Sequence, residues 1–286
     1  MSTATPRPII EAANLSEAWL RAFELLCSKG TDSGSPLTVS FTGFGTEGFP
    51  DEVEIIRKRL DEVLLSHNKV NTEICASTIF PIATLQLMES RLQREVEAKE
   101  LGEYYRRRVY PKLKAQNAKA NGRGTYFLRL TNYGGNLNHP DEEGDNQLAR
   151  MLEIWAENPH IAQSSLQLAI RHPKVDLNRN PRPFFPCLQQ VSLSYDTHGG
   201  IAITGYYPTQ YIFTRAYGNY LGIAHLGWYI ARAMKRKLVR VNCICAHPLL
   251  GEPPKSTKNS LKQDFADLFE QKVPEKMELK AVLNEG

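Results

Sequence analysis

The stretch PCLQQVSLSYDTHGGIAITGYYPTQYIFTRAYGNYLGIAHLGWYIARA, Pro186 to Ala233, shows the sharpest changes of hydrophobic period in the chain. Leu188, Val191, Leu193 and Tyr195 recur at roughly every second position up to Asp196-Thr-His-Gly-Gly200, and Ile201 to Tyr207 alternates again before Pro208. The pair predicts a β-hairpin with the Cys187 thiol at its entrance. From Tyr217 to Met234 the residues Leu221, Ala224, Leu226, Trp228 and Ile230 suit a mostly buried helix, and Asn219 stands near its start. A basic break then leads to Val239–Cys245, a buried-looking strand with Cys243 and Cys245 on one side, a spacing commoner in packing than at a metal.

Outward from that stretch, 286 residues with 42% hydrophobic content suffice for one substantial core, so a single domain over residues 9–286 is expected behind a loose tail of residues 1–8. The balance of 35 Lys+Arg against 31 Asp+Glu, a formal +4, is too mild to imply nucleic acid. Five cysteines, an odd number, do not make a disulfide framework. The first thirty residues lack the pattern of a secretory signal, and no apolar run of about 18 residues occurs, so no membrane association and a cytoplasmic location are the expectation.

The first half reads as alternating helices and strands. Ser16–Cys27 places Trp19, Leu20, Phe23 and Leu26 on one helical face, with Asn14 or Ser16 as cap and Gly30 as stop. Leu37–Phe41 is a strand that enters TGFGTEGFP, residues 42–50, a turn rather than a phosphate cradle because it lacks the Lys-Ser/Thr of a P-loop. Asp51–Ser66 is an amphipathic helix with Arg57-Lys-Arg59 on its solvated face. Thr72–Cys75 is strand-like, Ile79–Leu87 begins a helix that extends through Arg91–Glu100, and Tyr126–Leu130 is a strand. Tyr104–Pro111 interleaves aromatics with Arg106, Arg107 and Arg108; this is either a stacking surface for nucleic acid or a surface helix end, the second being the expectation, and a third option is that one of these arginines is an anion contact. His139, Asp141, Glu142, Glu143 and Asp145 share a polar loop with no second histidine at ligand spacing, so no metal site is expected. Arg171, Arg179 and Arg182 lie in a basic connector and are candidate anion contacts, and a helix at about Ser260–Gln271 precedes a charged tail.

Pro-Cys187, strand, turn, strand, Asn219 opening a buried helix, a basic break and a strand running to His247 together resemble the catalytic half of thymidylate synthase. Upstream, Asn146-Gln-Leu through Asn158-Pro159 and the alternating Leu166–Ile170 are similar to that family's helix, Asn-x-Pro turn and strand, so the resemblance is clearest over residues 120–251. It implies an α/β (α+β) fold with a mixed sheet and flanking helices, a homodimer paired through a sheet face, and one-carbon transfer, as methylation or hydroxymethylation, to C5 of a pyrimidine. Cys187 is then the nucleophile that adds to C6; Asn219 reads the pyrimidine edge; His247, Thr209 and Arg215 are further substrate-binding candidates; and 5,10-methylenetetrahydrofolate is the donor.

Several positions depart from the family's pattern. The arginine pair that grips the nucleotide phosphate after the Asn-x-Pro turn is missing from His160–Ile170, and a further phosphate arginine falls on Pro208, with Thr209 where the family has Ser and Tyr211 where it has Asp. The Tyr two residues after His falls on Leu249, and the early-helix glutamate falls on Pro81, Ile82 or Ala83. Guanidinium pairs are the usual grip on a phosphate dianion. The expectation is therefore a pyrimidine other than ordinary deoxyuridylate, and the alternative is a non-catalytic homologue that binds a nucleotide or a protein partner. Singly, a strand Cys is a small hydrophobe, an Asn at a helix start is a cap and a His after a strand is structural; order and spacing carry the expectation.

Overall fold

A computed structural model describes residues 8–33, 35–136, 142–177, 186–251 and 255–270. The first part of the chain runs β1 (Ile9–Ala12), α1 (Leu15–Ser33), β2 (Leu37–Phe41), α2 (Glu54–Ser66), α3 (Thr72–Ser77), α4 (Ile82–Leu92) and α5 (Ala98–Tyr104). A π-helical turn, Tyr105–Val109, leads to α6 (Tyr110–Gln116), α7 (Ala118–Asn121), α8 (Tyr126–Thr131) and α9 (Gln147–Glu157). Then come β3 (Gln167–Ala169), α10 (Pro173–Asp176), β4 (Gln190–Tyr195), β5 (Gly200–Tyr211), a second π-helical turn at Ile212–Ala216, α11 (Tyr217–Ala233), β6 (Lys237–Leu249) and α12 (Lys255–Glu270).

The fold is mixed α/β: the six strands form one sheet in the order β1-β2-β6-β5-β4-β3, flanked by helices. β5 and β6 are parallel and joined by α11, while β4–β5 is the antiparallel hairpin announced by its two-period alternation. Leu37, Val39 and Phe41 of β2, Val191 and Leu193 of β4, and Val241, Cys243 and Cys245 of β6 are buried on one face. There α11 lies against the sheet, because a side chain at Gly227 would sit 2.9 Å from Ile203 Cγ2 and 3.0 Å from Leu238 Cδ1. The opposite face stays open at its centre, where Tyr206 and its register partner Ile244 are both exposed. The buried apolar residues join in one core cluster, with Trp19 of α1 packed on Phe23, Tyr217 and Phe265. Among the described residues no helix is long and apolar enough to cross a membrane.

Local chemistry corrects several expectations. Thr72–Ser77 is a helix, not a strand, because the Asn71 side chain caps it by accepting from Ile74 N at 2.8 Å. Tyr126–Thr131 is likewise a helix, started by Thr125 accepting from Leu128 N at 3.2 Å. The long helix expected from Ile79 is broken: Gln93 adopts φ 54°, and Glu89 Oε1 turns the chain by accepting from Val96 N at 3.1 Å. Gly30 does not stop α1, which runs to Ser33; its cap is Asn14, accepting from Glu17 N at 2.9 Å. Pro8 belongs to the sheet rather than to a tail, since its carbonyl accepts from Thr38 N at 3.2 Å; residues 1–7, the charged tail after residue 270, His139, Asp141, Arg179 and Arg182 lie outside the described residues. Residues 42–50 fold back as a turn through the Phe44–Pro50 bridge, Phe49 stacks on Trp228, and Trp228 Nε1 donates to Glu47 O at 2.8 Å.

Candidate functional site

Cys187 sits in the bend that feeds β4. Gln189 fixes that bend: its N donates to Tyr206 O at 2.9 Å, its carbonyl accepts from Ile170 N at 3.0 Å, and its Nε2 donates to Pro186 O at 2.5 Å. The thiol is partly buried, and burial pushes its pKa up; the Arg215 charge and a hydrogen bond from the Tyr126 hydroxyl pull the other way. Tyr126 opens α8, and its hydroxyl lies close enough to the Cys187 thiol to favour the thiolate. Tyr126 is missing from the sequence-derived candidates because its segment reads as a strand.

Asn219 lies in the first turn of α11 and is 4% exposed. Its Oδ1 accepts from the thiol of Cys75 on α3 at 3.5 Å, and the same thiol is 3.6 Å from the carbonyl of Arg215. Cys75 is fully buried, and burial raises its pKa; the Arg215 charge offsets part of that, and a negative Cys187 would add to it, so the two thiols and the guanidinium share one neighbourhood. Helix α3 reaches this close because α11 presents glycines: a side chain at Gly218 would lie 2.5 Å from Cys75 Cβ, and one at Gly222 2.7 Å from Ala76 O.

Arg215 belongs to the π-helical turn between β5 and α11, is exposed, and has no ion-pair partner among the described residues. Thr209 and His247 are register partners near the carboxyl ends of the parallel strands β5 and β6, with Thr209 half-buried and His247 exposed. Open α/β sheets leave a crevice at that end. No hydrogen bond among the described residues joins either side chain to Cys187 or Asn219. Cys245, two residues before His247 on β6, is buried, and burial pushes its pKa up to about 12. The hydroxyls of Tyr207 and Tyr220 and both ends of the Gln210 amide are buried without a partner among the described residues.

The other anion candidates are committed elsewhere or stand apart. Arg106 is buried in an ion pair with Glu143, Arg107 reaches Glu103 and Glu143, and Arg171 is exposed on its connector. Tyr105 and Tyr110 of the same stretch are buried in the core, so they offer no stacking surface. No carboxylate is among the groups that act on Cys187, in keeping with Pro81, Ile82 and Ala83 at the early-helix positions. Among the described residues no group of three His, Cys, Asp or Glu side chains is placed to hold a metal. A cavity of about 350 Å³ between α2 and α12 is lined by none of these residues; its Arg59 bonds Asp264 at 2.8 Å and its His67 bonds Thr257 at 3.1 Å. No protein-family model matches the chain, and no curated protein matches its sequence.

Proposed function

We propose that the Cys187 neighbourhood binds a pyrimidine and begins C5-directed chemistry on it, in a thymidylate synthase-like fold, with one-carbon transfer as the reaction class that the resemblance implies. In the first step the Cys187 sulfur bonds to C6 while the C5=C6 π pair moves toward the C4 substituent, which makes C5 nucleophilic; the thiol proton leaves to solvent. Support comes foremost from the convergence of Cys187, Tyr126 and Cys75 with Arg215 and Asn219 of one continuous turn and helix start, four segments in all. Arg215, free of any carboxylate among the described residues, favours the thiolate and is the cation available to an anionic substituent. Thr209 and His247 stand side by side near the carboxyl ends of β5 and β6.

The residues present do not fit 5,10-methylenetetrahydrofolate as the family holds it: Tyr211 stands where the family has Asp, and among the described residues no carboxylate acts on Cys187. The lack of a carboxylate beside a thiol whose pKa burial raises favours the second reading, a non-catalytic homologue that binds a nucleotide or a protein partner. The open sheet face, with Tyr206 and Ile244 at its centre, is the surface through which a homodimer would pair, and sedimentation equilibrium checks it.

Covalent capture separates the two readings. The protein and its Cys187→Ala variant are incubated with 5-fluoropyrimidine bases, nucleosides and nucleotides, with and without methylenetetrahydrofolate, and weighed intact. A Cys187-dependent adduct is the expected result. Reversible binding with an unchanged mass for every compound would leave only the binding protein.

A further inference from the structure

We infer that the cavity between α2 and α12 is a second binding site, built for a small neutral polyhydroxylated ring of monosaccharide size. It shares no residue with the Cys187 neighbourhood, so it stands whether or not that neighbourhood takes a pyrimidine.

Each wall is fixed from behind. Leu60 and Leu64 of α2 and Leu261 and Phe265 of α12 are buried in the core, with the Phe265 ring edge-on to Trp19 at 5.8 Å. Two polar contacts pin the helices to each other: in the middle of α2, Arg59 Nε donates to Asp264 at 2.8 Å, and just past its end His67 Nε2 lies 3.1 Å from Thr257 Oγ1. Between the pins the side chains are short, Val63 and Ser66 from α2 and Ser260 from α12, and a volume of about 350 Å³ stays open. A close-packed core behind both walls does not shift to fill it. The volume is near the small end of ligand pockets.

The lining decides the class of ligand. The Arg59 guanidinium is already balanced, by Asp264 and by Glu62 at 3.4 Å, so a phosphate or carboxylate arriving there would meet two carboxylates. An ammonium would meet the guanidinium. Hydroxyls dominate the rest of the surface, from Ser66, Ser256, Thr257 and Ser260, with the His67 imidazole among them. Ser66 spends its proton on the Val63 carbonyl at 2.8 Å and is left to the cavity as an acceptor. The outer nitrogens of Arg59 are donors, held only at 3.4 Å by Glu62 and at 3.5 Å by Ser260. A ligand hydroxyl both donates and accepts, so it answers either kind of group, and it carries no charge for the carboxylates to repel. Val63 is buried and supplies an apolar wall for the C–H face of a ring.

The test is an NMR titration of the isotope-labelled full chain with D-ribose, D-glucose and myo-inositol, with inorganic phosphate as the anionic comparison. At least one of the three polyols is expected to shift the amides of Val63–His67 and Ser256–Ser260 saturably, at the millimolar concentrations that suit so small a ligand. Ser66→Trp, which fills the cavity from an exposed position, should weaken that binding about tenfold or more. Ser260→Ala removes one hydroxyl without adding bulk and should weaken it about threefold, which decides the matter should the tryptophan disturb the fold. Amides outside the two segments report the fold of each variant. Absence of a saturable shift with every polyol overturns the inference. So does phosphate binding more tightly than all three polyols, or an affinity that both variants leave unchanged.

Discussion

Around Tyr217, in the first turn of α11, the polar groups bind one another. The Tyr217 hydroxyl is 2.8 Å from Ser16 Oγ and donates to Glu52 at 2.7 Å, while Arg57 spreads over Glu52 at 3.1 Å, Thr72 at 3.1 Å and Glu73 at 2.6 Å. Three residues further along the helix, the Tyr220 hydroxyl is buried without a partner, as is that of Tyr207 on the strand beneath, and Asn219 keeps its amide nitrogen free. Both neighbourhoods are built from α3 and α11: Thr72 and Glu73 face the first, Cys75 the second. A polar group that serves the fold is satisfied inside the fold, since an unpaired buried group costs free energy. The Asn219 amide nitrogen, without a partner among the described residues and set beside the Cys75 thiol and Arg215, is what a ligand site requires. The contrast supports the placing of function at Cys187 rather than at the denser charge cluster.

The largest effect expected from breaking the contrast is on the closed side. Arg57→Ala strands Glu52, whose pKa burial already raises, and should cost about 2–4 kcal/mol in urea unfolding. Next is the neighbouring His225, whose pKa burial depresses to about 4 from 6.5, with the Arg57 charge pushing the same way and Glu73 opposing. The unfolded chain takes a proton that the folded chain refuses, so stability falls as pH drops from 6.5 toward 4, by about 3 kcal/mol in all. His225→Gln should remove that slope from the urea midpoint plotted against pH. Tyr217→Phe loses two hydrogen bonds and should cost about 1–2 kcal/mol. Tyr220→Phe deletes a hydroxyl with nothing to lose and should fall within about 0.5 kcal/mol of wild type, or slightly above it. If Tyr220→Phe destabilised as much as Tyr217→Phe, the two neighbourhoods would not differ as described.

Much of the framework was legible wherever a long period met a clear stop. The β4–β5 hairpin followed from alternation around Asp196-Thr-His-Gly-Gly200, and α11 from its run of apolar residues. Short elements were not: Thr72–Ser77 and Tyr126–Thr131 are too brief for a period to tell helix from strand, and only the caps Asn71 and Thr125 mark them as helices. Arg57, expected on a solvated face, is drawn in by Glu52 and Glu73, which stand five residues before and sixteen after it. At the site, Cys187, Asn219 and Arg215 could be named from one contiguous stretch. Cys75 and Tyr126 could not, because what brings them there is a close helix approach at Gly218 and a hydrogen bond to a bend, neither of which leaves a periodic trace.

The most direct measurement of the central claim is alkylation of individual cysteines by iodoacetamide at pH 7, followed by peptide mass, with and without each pyrimidine nucleoside and nucleotide shown to bind. Cys187 and Cys27 are partly exposed, whereas Cys75, Cys243 and Cys245 are buried. A bound pyrimidine should slow labelling of Cys187 about tenfold or more and leave Cys27 unchanged. A compound that binds yet leaves Cys187 labelling as it was, or slows both cysteines equally, would contradict the placing of the site.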